Sequence, residues 1–477
     1  MDRRIFGIET EFGLQYVPDG LGPLGPEEAA RKLFKPLVDT WRSSNVFLPN
    51  GGRLYLDVGA HPEYATAESA SIRDALIQDK AGELLLNDLV NQAQDHLEDE
   101  GYRGKIYLFK NNVDSAGNSF GSHENYLLER KVEFSRLVRS LIPFLVTRQV
   151  LVGAGKVHRF GPPAWGSQAL GPEGQPSFSF SQRADHIWEG ASTATTRSRP
   201  LINTRDEPHA DASLYRRLHV ITGDSNMSGA STVLKLGSTD LLLRMLEDHY
   251  PLKGFEVKDT ASALRLVSHD LTARAEFTLA DGSKISALAL QTYYYEAACA
   301  YVAERGAHHE LVPYLLDLWG RVLAALESGD YSSIDREIDW AIKKKLLDSY
   351  CERGLVTYGD PKISQLDLAY HDIDPDRGVF GVLQRRGRVH SLMTEDEIAH
   401  AASYPPATRA RIRGRFIAAA SAAGQPFTVD WVHLKLNNSP HQAMMCKDPF
   451  AAADPVVDRV IEDLLAQPVR GLQAPLV

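Results

Sequence analysis

Two short stretches near the start of the chain place ionisable side chains at every second position. In Gly7-Ile8-Glu9-Thr10-Glu11-Phe12-Gly13 the carboxylates of Glu9 and Glu11 alternate with Ile8, Thr10 and Phe12. In Arg53-Leu54-Tyr55-Leu56-Asp57-Val58 a guanidinium, a phenol and a carboxylate alternate with three aliphatic residues. Side chains alternate between the faces of a strand, so each stretch predicts one face for packing and one for chemistry. Two carboxylates on one face repel each other unless a cation lies beside them, and hard cations such as Mg2+ take oxygen ligands of this kind. A solvated strand face shows the same alternation, but two such strands close together favour a site. Glu63 follows Asp57 after a short turn and adds a third carboxylate, with an acidic helix N-terminus as the plainer reading. Thr66 offers a hydroxyl to a phosphate or a base edge.

Three later runs are more ambiguous. In Ser122-His123-Glu124-Asn125-Tyr126, His123 and Asn125 share a face, and a buried or loop-capping role is the plain reading. Arg205-Asp206-Glu207-Pro208-His209 is a dense polar run. Its guanidinium suits a phosphate or carboxylate group beside a metal, and loop capping is the alternative. Trp431, His433 and Lys435 alternate with Val432, Leu434 and Leu436. That predicts one strand over 428–436, whose indole either stacks on an adenine or edges a core.

The elements that must position these groups follow from periodicity. Strands are expected over 4–14, 53–58, 105–111, 122–128, 201–204 and 217–222, with 105–111 and 122–128 flanking a Gly/Asn/Ser-rich turn. Helices are expected over 27–41, 71–98, 239–248, 287–305, 309–326, 333–349, 407–423 and 455–466. Pro143 to Ala154 fits either a helix or a buried strand. Residues 160–180, rich in Gly, Pro and Ser, predict a loop. The strands show no regular βαβ rhythm, so the expected class is α+β, with helices packed on a mostly antiparallel sheet. Pro405-Pro406 marks a plausible boundary between a domain of residues 1–404 and a small C-terminal α/β domain of residues 405–477.

Composition narrows the function. Fifty-two Lys and Arg against 62 Asp and Glu give a net charge of −10, which argues against a general nucleic-acid footprint. Three dispersed cysteines, Cys299, Cys351 and Cys446, predict a reducing, cytoplasmic setting. No apolar run reaches about 18 residues, so no membrane span is expected. There is no GxxxxGK[ST] and no HExxH. Phosphates, if bound, are then met by metals and arginines on a sheet.

Taken together, several runs carry a resemblance: Arg3 to Gly13, Ser43 to Leu48, Gly52 to Asp57, His61 to Thr66, Lys110 to Asn112, Asp114 to Ser119, His123 to Tyr126, Arg197 to Pro200, Asn203 to His209 and Asp430 to Lys435. The sequence resembles the Pup–protein ligases, which join the prokaryotic ubiquitin-like protein Pup to lysines of target proteins. The resemblance implies a glutamine-synthetase-like large domain and a small domain peculiar to the family. It implies Glu9, Tyr55 and Glu63 as magnesium ligands, Arg53, Thr66 and Trp431 as ATP contacts, and Asp57 as the catalytic base. Glu11, Asn125, Arg205 and His209 are further candidates. The implied cofactors are ATP and Mg2+, and the implied partners are Pup, lysine-bearing targets and, functionally, the proteasome. Alternatives are the Pup deamidase/depupylase of the same fold, a small-molecule glutamate–amine ligase, and a scaffold that only binds. The reading Gly-Ile-Glu-Thr-Glu-Phe-Gly and the short connection from Glu11 to Arg53 favour the ligase.

Overall fold

Phe6–Glu11 lies inside an eight-stranded sheet, where its alternation is used on both sides. The spatial order is Glu189–Ser192, Pro200–Asn203, Tyr215–Val220, Ser122–Glu129, Phe6–Glu11, Pro62–Ala65, Arg53–Leu56 and Asn45–Phe47. Every neighbouring pair is antiparallel except the first, which is parallel. The computed structural model describes residues 1–466 apart from 2, 20, 21, 23, 58, 115, 116, 160–174, 194–198 and 439–441. Val58, most of the loop expected over 160–180, and part of the run from Arg197 lie outside the described residues.

One face of the sheet presents Phe6, Ile8, Tyr126, Leu128, Leu218, Val220 and Ile202 to the main core. The helices Phe134–Val152 and Gly229–Glu247 fill that core with Leu141, Phe144, Leu145, Val233 and Leu236. A fully buried side chain of this size contributes about 1.5–3 kcal/mol relative to its exposed state. A second cluster gathers Phe12, Leu54 and Tyr64 with the helices Pro26–Trp41 and Ile72–Asp99. Gly82 lets the latter helix lie against Tyr64, since a Cβ there would stand 2.2 Å from the ring. A third cluster is built wholly from residues 412–464, from the helices Arg409–Ala422 and Pro455–Leu465 and a three-stranded sheet. No described helix is long and apolar enough to cross a membrane.

The α+β expectation holds, with several local corrections. The run 4–14 is two strands. After Phe6–Glu11, Phe12 sinks into the second core, and Gly13–Pro18 leaves to pair with Gly104–Phe109. The strand expected over 105–111 therefore does not form a hairpin with 122–129, which stays in the main sheet. Pro143 lies within a 19-residue helix, and the Thr147 hydroxyl donates to the carbonyl of Pro143 at 3.0 Å. The helices expected from 239 and 333 begin at Gly229 and Asp339. The strand expected over 428–436 is a hairpin of Phe427–Val429 and His433–Leu436. The Asp430 carboxylate accepts the backbone N–H groups of Val432 and His433, both at 2.7 Å. That Asx turn lifts Trp431 out of any strand and places it at the hairpin tip.

Candidate active site

The opposite face of the sheet carries the polar half of the alternation. Glu11 lies opposite Glu63, and Glu63 opposite Tyr55. On the next rung Glu9 lies opposite Ala65, and Ala65 opposite Arg53. On the other side of the first strand Glu9 faces His123, Gly7 faces Asn125, and Asn125 faces His219. Residues far apart in the chain thus form one ionisable surface because directly paired residues share a face.

Two groups of donors result. Oxygens of Glu11, Asp57 and Glu63 all lie within 4.8 Å of one another. Asp57 stands just past the end of its strand, where its N–H donates to the His61 carbonyl at 2.9 Å. Burial, then repulsion from Glu9 and Glu11, pushes the Glu63 carboxyl up to about 9. Burial and the charges of Glu63 and Glu9 push the Tyr55 hydroxyl up as well, so the phenol keeps its proton. The second group is Glu9, His123 and His219. Glu9 accepts from His123 Nδ1 at 3.0 Å and from Asn125 Nδ2 at 3.0 Å, with His219 Nε2 at 3.5 Å. Burial alone would raise Glu9, but the bonds from His123 and His219 hold it well below the carboxylate range.

These donors fit a hard divalent cation. A buried carboxylate crowded by three others is held in its neutral form, and a cation among them would restore its charge. Glu9, Glu11, Glu63 and Asp57 supply oxygen donors, Tyr55 a neutral one, and His123 and His219 flank Glu9. The Arg53 guanidinium lies 4.3 Å from the Tyr55 ring centroid, and its Nε donates to Asn45 Oδ1 at 2.9 Å. Arg183, 2% exposed, leaves Nε and Nη1 without partners among the described residues and feels the charge of Glu11.

Beside this surface opens a cleft between the sheet and the C-terminal lobe. It is lined by Gly7, Glu9, Thr66, Asn125, His209 and Trp431, among others. The Thr66 hydroxyl accepts the Ile8 N–H at 3.0 Å and keeps its own proton free to donate. Trp431 packs edge-on against Phe47 at 4.9 Å, with the Arg413 guanidinium 4.9 Å from its centroid. The two lobes meet at a buried carboxylate. Glu68 Oε1 accepts from Arg409 Nη2 at 2.6 Å and Arg413 Nη1 at 3.0 Å, and Oε2 accepts from Arg413 Nη2. Burial pushes Glu68 upward, but Arg413 and Arg409 overcome it and bring the carboxyl down to about 2.

The structure brings together Glu9, Glu11, Arg53, Tyr55, Asp57, Glu63, Thr66, Asn125, His209 and Trp431. It does not bring in Arg205, whose exposed side chain donates Nε to the Thr193 carbonyl at 3.1 Å. The guanidinium beside Glu9 is that of Arg217, with Nη1 at 3.7 Å from Oε1 and bonded to Asn125 Oδ1 at 3.1 Å. Arg217 and His219 escaped the sequence reading, although both alternate with Leu218 and Val220 on an expected strand. The sequence alone favours a buried or capping role for His123, whereas in the structure it bonds Glu9. Gly117-x-Ser119-x-Gly121 has the letters of a serine-hydrolase elbow. Ser119 instead sits in a loop ahead of Ser122–Glu129, with no helix following to make the required strand-to-helix turn.

Comparison with known proteins gives a consistent picture. Residues 4–435 match the family described as Pup-ligase protein. A Pup–protein ligase of Rothia mucilaginosa is 59% identical over 97% of this chain and 96% of its own length. Another from Kocuria rhizophila is 59% identical over 98% and 99%. Among solved structures, the complex of prokaryotic ubiquitin-like protein Pup with its ligase PafA superposes with a TM-score of 0.91 at 45% identity, covering 97% of this chain and 91% of that one. The structure of the Pup ligase PafA with ADP gives 0.84 at 46% identity, covering 94% and 96%.

Proposed function

The chain belongs to the Pup-ligase family, and from that premise we propose how its two-lobed cleft works. It is an ATP-dependent ligase that conjugates Pup to target proteins. The supporting observation is the continuity of the carboxylate rungs with an apolar cleft ending at Trp431. Trp431 would stack the adenine, and Thr66 would meet the triphosphate between that ring and the carboxylates of Glu9 and Glu63. Glu9, Tyr55 and Glu63 would hold Mg2+, which would supply positive charge against the phosphates when bound. Arg53 and Arg183, whose Nε and Nη1 have no partner among the described residues, would hold the anionic groups in line, which is catalysis by position and electrostatics.

The side-chain carboxylate of Pup's C-terminal glutamate attacks the γ-phosphorus, giving a γ-glutamyl phosphate and ADP. A lysine ε-amine is protonated at neutral pH and cannot attack. Asp57, at the rim of the acidic cluster, takes that proton. The freed amine attacks the acyl carbon, phosphate leaves, and an isopeptide bond remains. Asn125 supports the arrangement by holding Glu9.

The architecture reads as glutamine-synthetase-like, with residues 1–404 as the catalytic domain and residues 405–477 as the small domain. The separate core over 412–464 supports that division. Free cysteines support a cytoplasmic setting, and conjugation marks targets for the proteasome. The direct test supplies Pup ending in glutamate, ATP, magnesium and a lysine-bearing protein. A conjugate formed with ADP release is expected; release of Pup from conjugates without ligation would favour a depupylase.

A further inference from the structure

Trp431 is not alone in the cleft. The His209 imidazole stands across from it, with ring centroids 6.3 Å apart and planes inclined at 39°. A flat base between two rings needs about 7 Å, twice an ordinary carbon contact, so a small opening and levelling of the rings admits one. Nothing in the fold uses the imidazole: it is exposed, and no hydrogen bond engages it among the described residues. Yet His209 is held at φ 46°, a left-handed conformation uncommon for residues other than glycine. Its carbonyl accepts from Arg409 Nη1 at 2.7 Å. The Trp431 carbonyl accepts from Arg413 Nη1 at 3.2 Å. Both guanidiniums are gripped by the single carboxylate of Glu68.

We propose that His209 is the second wall of the nucleotide-base site, and that Glu68 sets its spacing from Trp431 through Arg409 and Arg413. Glu68 comes from the large lobe and both arginines from the small one, so docking of the lobes assembles the base site. Strained, exposed residues kept by surrounding contacts are commonly functional, and base stacking on a ring is sequence-tolerant and substantial. Glu68 is a positioning residue and touches no substrate. The proposal rests on Trp431 being the adenine platform.

The test compares Trp431→Ala, His209→Gly, His209→Phe and Glu68→Gln by KM for ATP and by inhibition with inorganic tripolyphosphate, which has no base. Glycine keeps the backbone at His209 free of strain, so folding is preserved there. His209→Gly is expected to raise the ATP KM about tenfold with tripolyphosphate inhibition unchanged, and His209→Phe to restore the KM. Glu68→Gln is expected to raise the KM more than it lowers kcat. An unchanged KM in His209→Gly alongside a raised one in Trp431→Ala would sink the second wall alone. An unchanged KM in Trp431→Ala would remove the platform itself. Equal loss of ATP and tripolyphosphate binding would assign His209 to the phosphates and overturn the proposal. A normal KM in Glu68→Gln would overturn the positioning role.

Discussion

Asp57→Asn separates the two halves of the reaction. A lysine amine with an ordinary pKa near 10.4 is unprotonated about once in a thousand at pH 7.4. A positioned base removes most of that handicap, and such bases contribute about 10²–10⁴-fold. The variant should therefore ligate about 10³-fold more slowly and regain about tenfold for each unit of pH, as free amine accumulates. The substitution also removes a charge that shares a cluster within 4.8 Å with Glu11 and Glu63. At an effective dielectric constant of about 20, such a charge is worth on the order of 3 kcal/mol, so the assay needs saturating magnesium. Single-turnover measurement with Pup and ATP follows ADP formation first and conjugate second. ADP should form at close to the normal rate and conjugate slowly. Hydroxylamine, uncharged at neutral pH, needs no base and should capture the acyl phosphate about as fast in the variant as in the parent. Slow capture by hydroxylamine, or equal loss of both steps, would move Asp57 from proton transfer to the phosphoryl step and refute the assignment.

Other consequences can be checked independently. Glu9→Ala should raise the magnesium needed for half-maximal turnover by at least about tenfold, and an unchanged magnesium dependence would remove Glu9 from the metal site. The Glu68 carboxyl sits near 2 in the folded chain against an ordinary 4.5. Its contribution, on the order of 3 kcal/mol, is therefore complete above pH 4.5 and lost as pH falls through about 2. Acid titration of the fluorescence difference between the parent and Trp431→Phe should show that loss, and Glu68→Gln should flatten it; an identical acid profile in the variant would contradict the lock. Gly82→Ala drives a methyl to 2.2 Å from the Tyr64 ring and should cost about 1–3 kcal/mol, read as a lower melting temperature. A parental melting temperature would show that the helix simply shifts.

How much of this was legible in the sequence depends on the range of each signal. Glu9, Glu11, Arg53 and Tyr55 announce their faces because strand alternation is local and strict. The Glu63–Tyr55 pair needed only a short turn between two strands, so it was within reach, whereas Glu11 meets Glu63 across about fifty residues. The pairing of Phe6–Glu11 with Ser122–Glu129, and of that strand with Tyr215–Val220, joins residues about a hundred positions apart, and no local pattern encodes it. That is why His123 was undervalued and Arg217 and His219 were missed. Trp431 was assigned to a strand because period-two alternation overlooks a side chain that takes over backbone bonds. Asp430 does this, and only its identity as an Asx residue hinted at the turn. The helix around Pro143 was ambiguous because an all-apolar stretch has no face to read.

The hairpin that carries Trp431 is rooted in a core of its own, formed entirely by residues 412–464. If ATP binds only when that small core is folded and docked, saturating nucleotide adds a stabilisation of RT ln(1 + [L]/Kd), about 2.7 kcal/mol at a hundredfold excess over Kd. Weakening Phe416 or Val457, both buried in that core, would then masquerade as poor substrate affinity and vanish at high ATP. The energy charge of the cell would in this way set how long the small lobe survives heat or proteolysis.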